Sequence, residues 1–392
     1  MFSADFLLVL YIVEKFGPMK RTLTIAALLL CMACGHDGKN MALLDAAAFE
    51  TEIDGAKTGL YTLRGGDIAM QVTNYGGRVV SLWTPDRNGD YADIEIGYES
   101  IGRYLNNSGE RFLGAAVGPF ANRIAGGRFT LDGKTYTLPQ NNNGQTLHGG
   151  ELGIDRIVWQ VESVSDSGIT MRCTLPDGQD GFPGNRDIEM SYRLTPDNEF
   201  VVTYIATTDA PTVMNLSHHS FFNLHGEGCG TILDHRLTIA ASNITPIDER
   251  MIPTGEIMPV EGTPFDFRTP HAIGDAVNDD NEQLRCGAGY DHNWIIDRED
   301  DKSVMKVADL YDPASGRGFE IWSDQIAMQF YCGNFFDGSY CGKYGRPIEY
   351  RSAVVFETQR YPDSPNRPEF PDCTLRPGET YTHVCKYKFY TK

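Results

Sequence analysis

The stretch GRFTLDGKTYTL, residues 127–138, indicates the fold class of this chain. Polar and apolar side chains alternate on both sides of Asp132 and Gly133, a dipeptide that fits a two-residue turn between antiparallel strands. Two further alternating segments, residues 187–194 and 200–206, are separated by a longer loop sequence. Alternation with a period of two is typical of strands that have one buried face. The sequence therefore predicts β-hairpins in both places.

The same alternation recurs from about residue 50 to the C-terminus, whereas helical patterns are scarce. Residues 101–105 and 272–276 could each form a turn or two of helix. No linker or fixed-period repeat divides residues 49–392, so one domain must bury the apolar faces of many strands. We therefore predict a single all-β domain over residues 49–392, built as a large twisted antiparallel β-sandwich with few short helices.

The composition limits the possible partners of the protein. The chain has 392 residues, of which 41% are hydrophobic, and this is enough for a large core. A formal net charge of -19 disfavours a surface that binds nucleic acid or anionic lipid. It is compatible with an uncharged small molecule such as a sugar, so nucleic acid is not an expected partner.

The N-terminus resembles an export signal. Residues 19–21 (MKR) precede an apolar run, Leu23 to Leu30, that is too short for a membrane-spanning helix. Ala33 before Cys34 resembles the bacterial lipoprotein signal, in which the cysteine is lipidated, although Cys31 stands where leucine is usual. The pattern predicts export and lipidation of Cys34.

This signal also predicts the organisation and location of the protein. Residues 1–34 would form the leader, and residues 35–48 would form a flexible tether to the folded domain. One acyl chain on Cys34 would attach a soluble domain to a membrane without making it an integral membrane protein. We therefore expect an exported bacterial protein that is either periplasmic or anchored as a lipoprotein.

Cysteine usage argues against a metal centre. The chain has nine cysteines, and those after Cys34 show no CxxC motif and no spacing typical of zinc ligands. Cys332 and Cys341 could pair across a loop, whereas Cys173 lies in an alternating strand pattern where a free thiol acts as a small core side chain. A zinc site is therefore not expected.

Two ionisable side chains lie in strand-like segments where they are costly to bury. Glu357 lies within the strand-like run Val354 to Gln359, and a carboxylate there needs hydrogen bonds or a chemical role. His218 and His219 lie in an apolar, aromatic strand, and successive strand side chains point to opposite faces. Only one of the two histidines can therefore face a given pocket. A carboxylate and an imidazole could serve one substrate as general base and general acid.

Three further polar residues lie next to small or glycine-rich segments. Arg123 lies among small and apolar residues, His148 precedes two glycines, and Asp291 begins an aromatic strand. Each also has a purely structural interpretation, in which it satisfies a loop carbonyl, forms a loop hydrogen bond or caps a strand start. Arginine can donate two hydrogen bonds to neighbouring hydroxyls. Together with the acid-base pair, these residue types suit proton transfer on an uncharged polyol.

Five motifs resemble the aldose 1-epimerase (galactose mutarotase) family and follow its order and spacing. The likeness covers about residues 52–389, nearly all of the predicted domain. The motifs are Asn122-Arg123-Ile124, Leu147-His148-Gly149-Gly150, residues 215–224, Gly289-Tyr290-Asp291-His292-Asn293 and Phe356-Glu357-Thr358-Gln359.

This resemblance implies a large antiparallel β-sandwich without a metal ion or organic cofactor. It implies that His219 is the catalytic acid and Glu357 the catalytic base. The sugar-binding positions that it implies are Asn122, Arg123, His148, Asp291 and Gln329. The sequence departs from the family at His218, where asparagine is usual, and at Phe221, where tyrosine is common. Both departures flank the acid.

The function implied is the interconversion of the α and β anomers of a free hexose, such as glucose or galactose, by acid-base ring opening and closure. The expected partner is the sugar alone, bound by a monomer or a homodimer. A β-sandwich glycoside hydrolase could instead use Asp291 and Glu357 as its two carboxylates. A non-catalytic carbohydrate-binding protein and a hexose-6-phosphate epimerase are further alternatives.

Overall fold

The structure is a computed structural model that describes residues 41–106, 109–300 and 302–392. The predicted leader, residues 1–34, and the predicted lipidation of Cys34 lie outside the described residues. Among the helices that the structure does describe, none is both long and apolar enough to cross a bilayer.

The strands are numbered in chain order. In the first half they are β1 (Glu52–Ile53), β2 (Ala56–Lys57), β3 (Leu60–Gly65), β4 (Ile68–Thr73), β5 (Arg78–Pro85), β6 (Tyr91–Asp93), β7 (Ala115–Val117), β8 (Arg123–Ile124), β9 (Arg128–Leu131), β10 (Lys134–Thr137), β11 (Thr146–Leu147), β12 (Gln160–Val164), β13 (Gly168–Leu175), β14 (Arg186–Leu194) and β15 (Glu199–Thr208). In the second half they are β16 (Thr212–Val213), β17 (Ser217–His219), β18 (Arg236–Ile239), β19 (Asn243–Thr245), β20 (Met258–Pro259), β21 (His271–Ala272), β22 (Asp291–Ile295), β23 (Met305–Tyr311), β24 (Arg317–Ser323), β25 (Ala327–Tyr331), β26 (Val355–Gln359), β27 (Thr374–Leu375) and β28 (Tyr381–Thr391).

Helices are few and short in the described residues. The α-helices are α1 (Ile101–Asn106) and α2 (Glu282–Cys286). Single turns of 3₁₀-helix lie at Ala46–Phe49, Ala125–Gly127, Ile154–Arg156, Gln179–Gly181, Ile273–Asp275 and Ser364–Asn366.

Three large sheets make up most of the fold. The first has nine strands in the order β12-β13-β14-β15-β28-β24-β23-β18-β21, the second has five in the order β20-β19-β22-β25-β26, and the third is β3-β4-β5-β6. The strand pairs that build these sheets are antiparallel. The predicted all-β antiparallel class is confirmed.

The largest hydrophobic cluster of the described residues lies between these sheets. It joins Met70 of the four-stranded sheet, Tyr192 and Phe319 of the nine-stranded sheet, and Phe330 and Phe356 of the five-stranded sheet. The rings of Phe319 and Phe356 lie 6.1 Å apart across the interface, and those of Phe330 and Phe356 stack at 5.2 Å within their sheet. Aromatic side chains in such pairs supply much of the buried apolar area. The predicted sandwich architecture is therefore confirmed.

The five-stranded sheet is apolar on one face and polar on the other. Phe330 and Phe356, directly opposite in register, point into the core. Because strand side chains alternate between faces, Gln329 and Glu357, the next opposed pair, lie on the other face. Asp291 of β22 lies opposite Tyr331 of β25, which is on that polar face as well. Register alone therefore gathers several of the predicted site residues on one surface.

Both predicted hairpins are confirmed. β9 and β10 are joined by Asp132 and Gly133, which both have positive φ angles, 51° and 78°, as a two-residue turn requires. β14 and β15 form the second hairpin. The helical patterns near residues 101 and 272 correspond to α1 and to a 3₁₀ turn.

Helix α2 was not predicted. It has five residues, Glu282–Cys286, which are too few to show a helical period in the sequence. Its start is fixed locally, because the Asn281 side chain accepts hydrogen bonds from the N–H groups of Gln283 and Leu284.

Cys332 and Cys341 are both free thiols, so the disulfide considered for this pair does not form. The Cys332 thiol instead lies 3.0 Å from the side-chain oxygen of Asn334.

The compact unit begins at Met41, within the segment predicted as a tether. The backbone of Leu44 exchanges two hydrogen bonds with the Gln71 side chain, at 2.8 and 3.1 Å. Phe49 is fully buried. Residues 41–48 are therefore held against the domain by specific contacts.

A buried cation joins the loop after β25 to the four-stranded sheet. The Lys343 ammonium has no solvent exposure and lies 2.5 Å from Glu227 and 3.3 Å from Asp93. It also donates hydrogen bonds to the carbonyls of Val80 and Glu95, at 2.7 and 2.6 Å. Charges removed from water are tolerated only when they are paired and hydrogen-bonded in this way.

We expect Lys343→Met to lower the free energy of unfolding by about 3–5 kcal/mol, because Asp93 and Glu227 would stay buried without a cation. Urea unfolding followed by tryptophan fluorescence measures the change. The matched control is Lys306→Met, since Lys306 pairs with Asp309 and Glu320 while its side chain is 40% exposed. Exposed pairs contribute about 0–1 kcal/mol, so equal losses in the two variants would contradict the prediction.

Candidate active site

His219 reaches the site from a short strand on one side of a cleft. β17 pairs with β7, and His219 lies opposite Ala115 in this ladder. The imidazole packs edge-on against His148, with ring centres 5.1 Å apart. The His219 Nδ1 atom has no hydrogen-bond partner. The imidazole lines the cleft, with Nε2 directed at Glu357, and this nitrogen is therefore placed to meet a ligand.

Glu357 reaches the same cleft from the polar face of β26. Its Oε1 atom lies 3.7 Å from His219 Nε2, and its Oε2 atom lies 3.8 Å from His148 Nδ1. Oε2 is buried and has no hydrogen-bond partner. Such a group is expensive to keep unless a ligand satisfies it. The structure thus brings together the two residues that the sequence predicted as the acid-base pair.

The cleft has a volume of about 310 Å³. Six of the seven predicted site residues line it, namely Asn122, Arg123, His148, His219, Asp291 and Glu357. Gln329, the seventh, is not part of the lining and lies behind Asp291, to which its amide donates a 2.6 Å hydrogen bond. The other lining residues are Glu110, Phe112, Asn142, Asn143, Leu147, Phe221, Met251, Tyr331 and Phe335.

Asn122 and His148 hold each other in place. The His148 N–H donates to the Asn122 carbonyl, and the Asn122 N–H donates to His148 Nδ1, both at 3.1 Å. Both residues have left-handed backbone conformations, with φ angles of 62° and 51°. Such conformations are uncommon outside glycine and persist where surrounding contacts fix them. Because Nδ1 accepts this hydrogen bond, the proton of a neutral His148 lies on Nε2.

Arg123 is held at the edge of the cleft by its neighbours. Its N–H donates to the side-chain oxygen of Asn122 at 2.8 Å, and its guanidinium donates to Asn142 at 3.3 Å. One guanidinium nitrogen lies 3.4 Å from the sulfur of Met251. The side chain is largely buried but lines the cleft, so its remaining donors can meet a polar ligand.

Aromatic side chains form the other wall. The Phe221 ring lies 4.9 Å from the His219 ring, and Phe112 lies 4.6 Å from His148. Phe335 stacks on Tyr331 with ring centres 5.8 Å apart, and it is 55% exposed at the mouth of the cleft. Aromatic faces beside polar groups suit the flat apolar face of a sugar ring.

Sequence reasoning missed Glu110, Phe112 and Met251. Glu110 carried a signal like that of Glu357, a carboxylate next to an apolar segment, and its Oε1 atom accepts a hydrogen bond from the Phe112 N–H at 2.9 Å. Phe112 and Met251 carried none, because one is an ordinary apolar residue and the other lies in a polar turn. Tertiary contacts alone bring them to the cleft.

Comparison with known proteins agrees with this geometry. A family model described as aldose 1-epimerase matches residues 59–388. Galactose mutarotase from Mus musculus is 40% identical over 329 residues, which cover 84% of this chain and 93% of the mouse protein. Aldose 1-epimerase from Escherichia coli K12 is 36% identical over 340 residues, 86% of this chain and 96% of that protein.

The chain belongs to the aldose 1-epimerase family.

A solved structure agrees with this assignment. An aldose epimerase homologue from C. elegans superposes with a TM-score of 0.78 at 27% identity, covering 85% of this chain and 99% of that chain. The predicted family is confirmed, as are the galactose mutarotase-like sandwich, the class of isomerase and the mutarotase function.

Burial determines the protonation of the epimerase cleft. Desolvation raises the pKa of Glu357 to about 8, and the nearby charge of Asp291 raises it further against the opposing effect of Arg123. Desolvation lowers the pKa of His219 to about 3 and holds that of His148 well below its usual value. Desolvation also raises the pKa of Asp291. At neutral pH the Glu357–His219 pair is therefore uncharged, with its proton on Glu357.

Three residues of the cleft could in principle hold a metal ion. Donor atoms of His148, His219 and Glu357 lie within 4.8 Å of one another. However, His148 Nδ1 already accepts the hydrogen bond from the Asn122 N–H, and a metal ion on that atom would break it. The donor set therefore suits hydrogen bonding to hydroxyl groups better than metal coordination.

Proposed function

We propose that this cleft interconverts the anomers of an uncharged aldose by proton transfers through Glu357 and His219. The observation that carries the proposal is the 3.7 Å approach of His219 Nε2 to Glu357 Oε1, in a buried cleft whose carboxylate lacks a partner. A hemiacetal has two oxygen atoms that must exchange protons when its ring opens. A carboxylate and an imidazole that face the same cleft can exchange protons with both of these oxygen atoms.

Ring opening removes a proton from the C1 hydroxyl and adds one to the ring oxygen. Glu357 accepts the first proton, His219 donates the second, and the bond between C1 and the ring oxygen breaks to leave an aldehyde. Rotation about the C1–C2 bond presents the other face of the carbonyl. For closure the roles exchange, so that His219 takes up the hydroxyl proton and Glu357 returns one to the anomeric oxygen. No proton is gained or lost overall.

The pair holds one proton throughout this cycle. Burial keeps that proton on Glu357, whereas ring opening needs an ionised Glu357 and a protonated His219, which is the other arrangement of the same proton. Sugar hydroxyls that donate to the carboxylate would stabilise its charged form and replace the water that burial removed. Substrate binding thus favours the arrangement that reacts.

Arg123, Asn122, His148 and Asp291 are proposed to bind the sugar, with Gln329 holding Asp291. Among the described residues that line the cleft, Arg123 is the cation, and Glu110, Asp291 and Glu357 are the acids. An excess of carboxylates disfavours a phosphorylated sugar and suits hydroxyl groups, which donate to them. A free hexose such as galactose or glucose is the proposed substrate, in keeping with the galactose mutarotases that the chain resembles.

We expect Glu357→Gln to lower kcat by about 10²–10⁴-fold, because the amide cannot accept the hydroxyl proton. Sugar binding should persist, since the amide keeps the shape of the carboxylate. Polarimetry on freshly dissolved α-galactose measures turnover, and isothermal titration measures binding. Glu256→Gln is the control at an exposed glutamate. Near-normal turnover in Glu357→Gln would show that the base is another residue.

We expect kcat/KM to be flat at neutral pH and to fall roughly tenfold per pH unit above about 8, where the pair loses its one proton. A raised carboxyl pKa means that this proton leaves only as the pH rises through about 8. A lowered imidazole pKa means that a second proton binds only as the pH falls through about 3. Polarimetry corrected for the uncatalysed rate gives the profile. An alkaline limb centred near the ordinary histidine value would contradict it.

We also propose that the protein is exported and lipidated on Cys34, on the strength of the sequence pattern alone. A full-length chain produced in a bacterium fed radiolabelled palmitate should carry label in the membrane fraction. Cys34→Ala should carry none, while Cys31→Ala should label normally. Equal labelling of the Cys34→Ala variant and the unaltered chain would contradict lipidation at this residue.

A further inference from the structure

The strand that carries His219 has little ladder support of its own. β17 spans three residues and pairs along one edge with the equally short β7. Side chains supply additional anchors: the Ser217 hydroxyl donates to the Thr358 carbonyl at 2.9 Å, and the Tyr204 hydroxyl donates to the Ser217 carbonyl at 2.9 Å. The position of the catalytic imidazole therefore depends on side-chain contacts made by its neighbours.

His218 makes two such contacts from the face opposite His219. Its ring is 2% exposed, with Nδ1 3.2 Å from the Tyr192 hydroxyl and Nε2 2.7 Å from the Ser220 hydroxyl. Positions 218 and 220 lie on either side of position 219 in sequence and share one face of the extended chain. The hydrogen bond between His218 and Ser220 therefore links the residues before and after His219, on the face opposite its imidazole. We refer to His218, Tyr192 and Ser220 as the His218 brace.

The protons of the brace can be assigned from its partners. The Tyr192 hydroxyl donates to the Gly77 carbonyl at 2.6 Å, so it offers an oxygen lone pair to His218 Nδ1. Nδ1 therefore carries the hydrogen, and Nε2 accepts from the Ser220 hydroxyl. Both ring nitrogens are satisfied by a neutral imidazole. Burial, aided by His219, lowers the pKa of His218 to about 3, so this form persists at neutral pH.

The brace continues into the segment that follows the acid. The Phe221 N–H donates to Glu95 Oε1 at 3.1 Å. Phe221 packs its ring 4.9 Å from the His219 imidazole. Positions on both sides of His219 are therefore fixed by buried polar groups, at His218 and at Glu95.

We propose that His218 is a positioning residue for mutarotation, which holds the backbone of His219 through Ser220 and Tyr192 so that the imidazole points at the substrate. This rests on the proposed role of His219 as the acid. A catalytic group misplaced by about 1 Å can lose about 10²-fold in rate. This positioning role accounts for the histidine at position 218, where the family usually has asparagine.

The test compares two substitutions of similar size. His218→Leu removes both hydrogen bonds, and we expect kcat to fall by about 10–100-fold while KM stays within about threefold. His218→Gln places its amide near the position of Nε2, so it can restore the contact with Ser220 and recover most of the lost kcat. Polarimetry gives kcat and KM, and thermal unfolding of the same samples gives stability.

Two further variants separate positioning from general loosening. His235 is a fully buried imidazole whose Nε2 accepts the Leu224 N–H at 3.1 Å, and it does not line the cleft. His235→Leu should lower stability without lowering kcat. Ser220→Ala removes only the Ser220 hydroxyl from the brace. If His218→Leu does not fold, Ser220→Ala takes its place in the test, and its kcat should fall.

Several outcomes overturn the inference. If His218→Leu folds and keeps the wild-type kcat, the brace is not needed. If His218→Leu does not fold, a wild-type kcat in Ser220→Ala leads to the same conclusion. Equal losses of kcat in His218→Leu and His235→Leu show a general loss of rigidity. His219→Ala in the same assay separates the two proposals. If it is active, the proposed acid is wrong; if it is inactive while the brace variants are normal, only the positioning role is wrong.

Discussion

The burial of Glu357 is the constraint on which the rest of the site depends. A carboxyl group placed on the polar face of β26, the last strand of the five-stranded sheet, loses water and gains no direct hydrogen bond for Oε2, so its pKa rises to about 8. The protein supports this costly arrangement with an apolar opposite face, where Phe356 packs against Phe330 and Phe319. The same strand thus contributes to the core and to the chemistry, and neither can shift without the other.

The imidazole across the cleft is subject to a complementary constraint. Desolvation keeps His219 neutral, just as it keeps Glu357 protonated, so the reacting pair carries no charge at neutral pH. A neutral pair avoids the large cost of two buried charges. When the hydroxyl groups of a sugar donate hydrogen bonds to Glu357, they stabilise its charged form. The shared proton then lies on His219, as ring opening requires. Selectivity for polyhydroxy substrates then follows from the protonation of the site as well as from its shape.

Short-range signals predicted much of this molecule. Asp132 and Gly133 specified a hairpin turn, and strand alternation limited the pocket to one of the two adjacent histidines. Family motifs then indicated which polar residues to group together. The partners of Lys343 could not be predicted, because Asp93 and Glu227 lie more than a hundred residues away and charged residues are usually solvated. Met251 and Phe112 enter the cleft through loop packing, which leaves no periodic trace in the sequence.

The buried ammonium of Lys343 also bears on how a sugar enters the cleft. The chain segment between β25 and β26 carries Phe335 at the mouth and is tied to the four-stranded sheet through Lys343. Lifting Lys343 from the sheet would draw a cation away from two carboxylates and two carbonyls at once, which is costly because all of these groups are buried. Displacement of this part of the mouth is therefore opposed by the same ion pairs that stabilise the sheet.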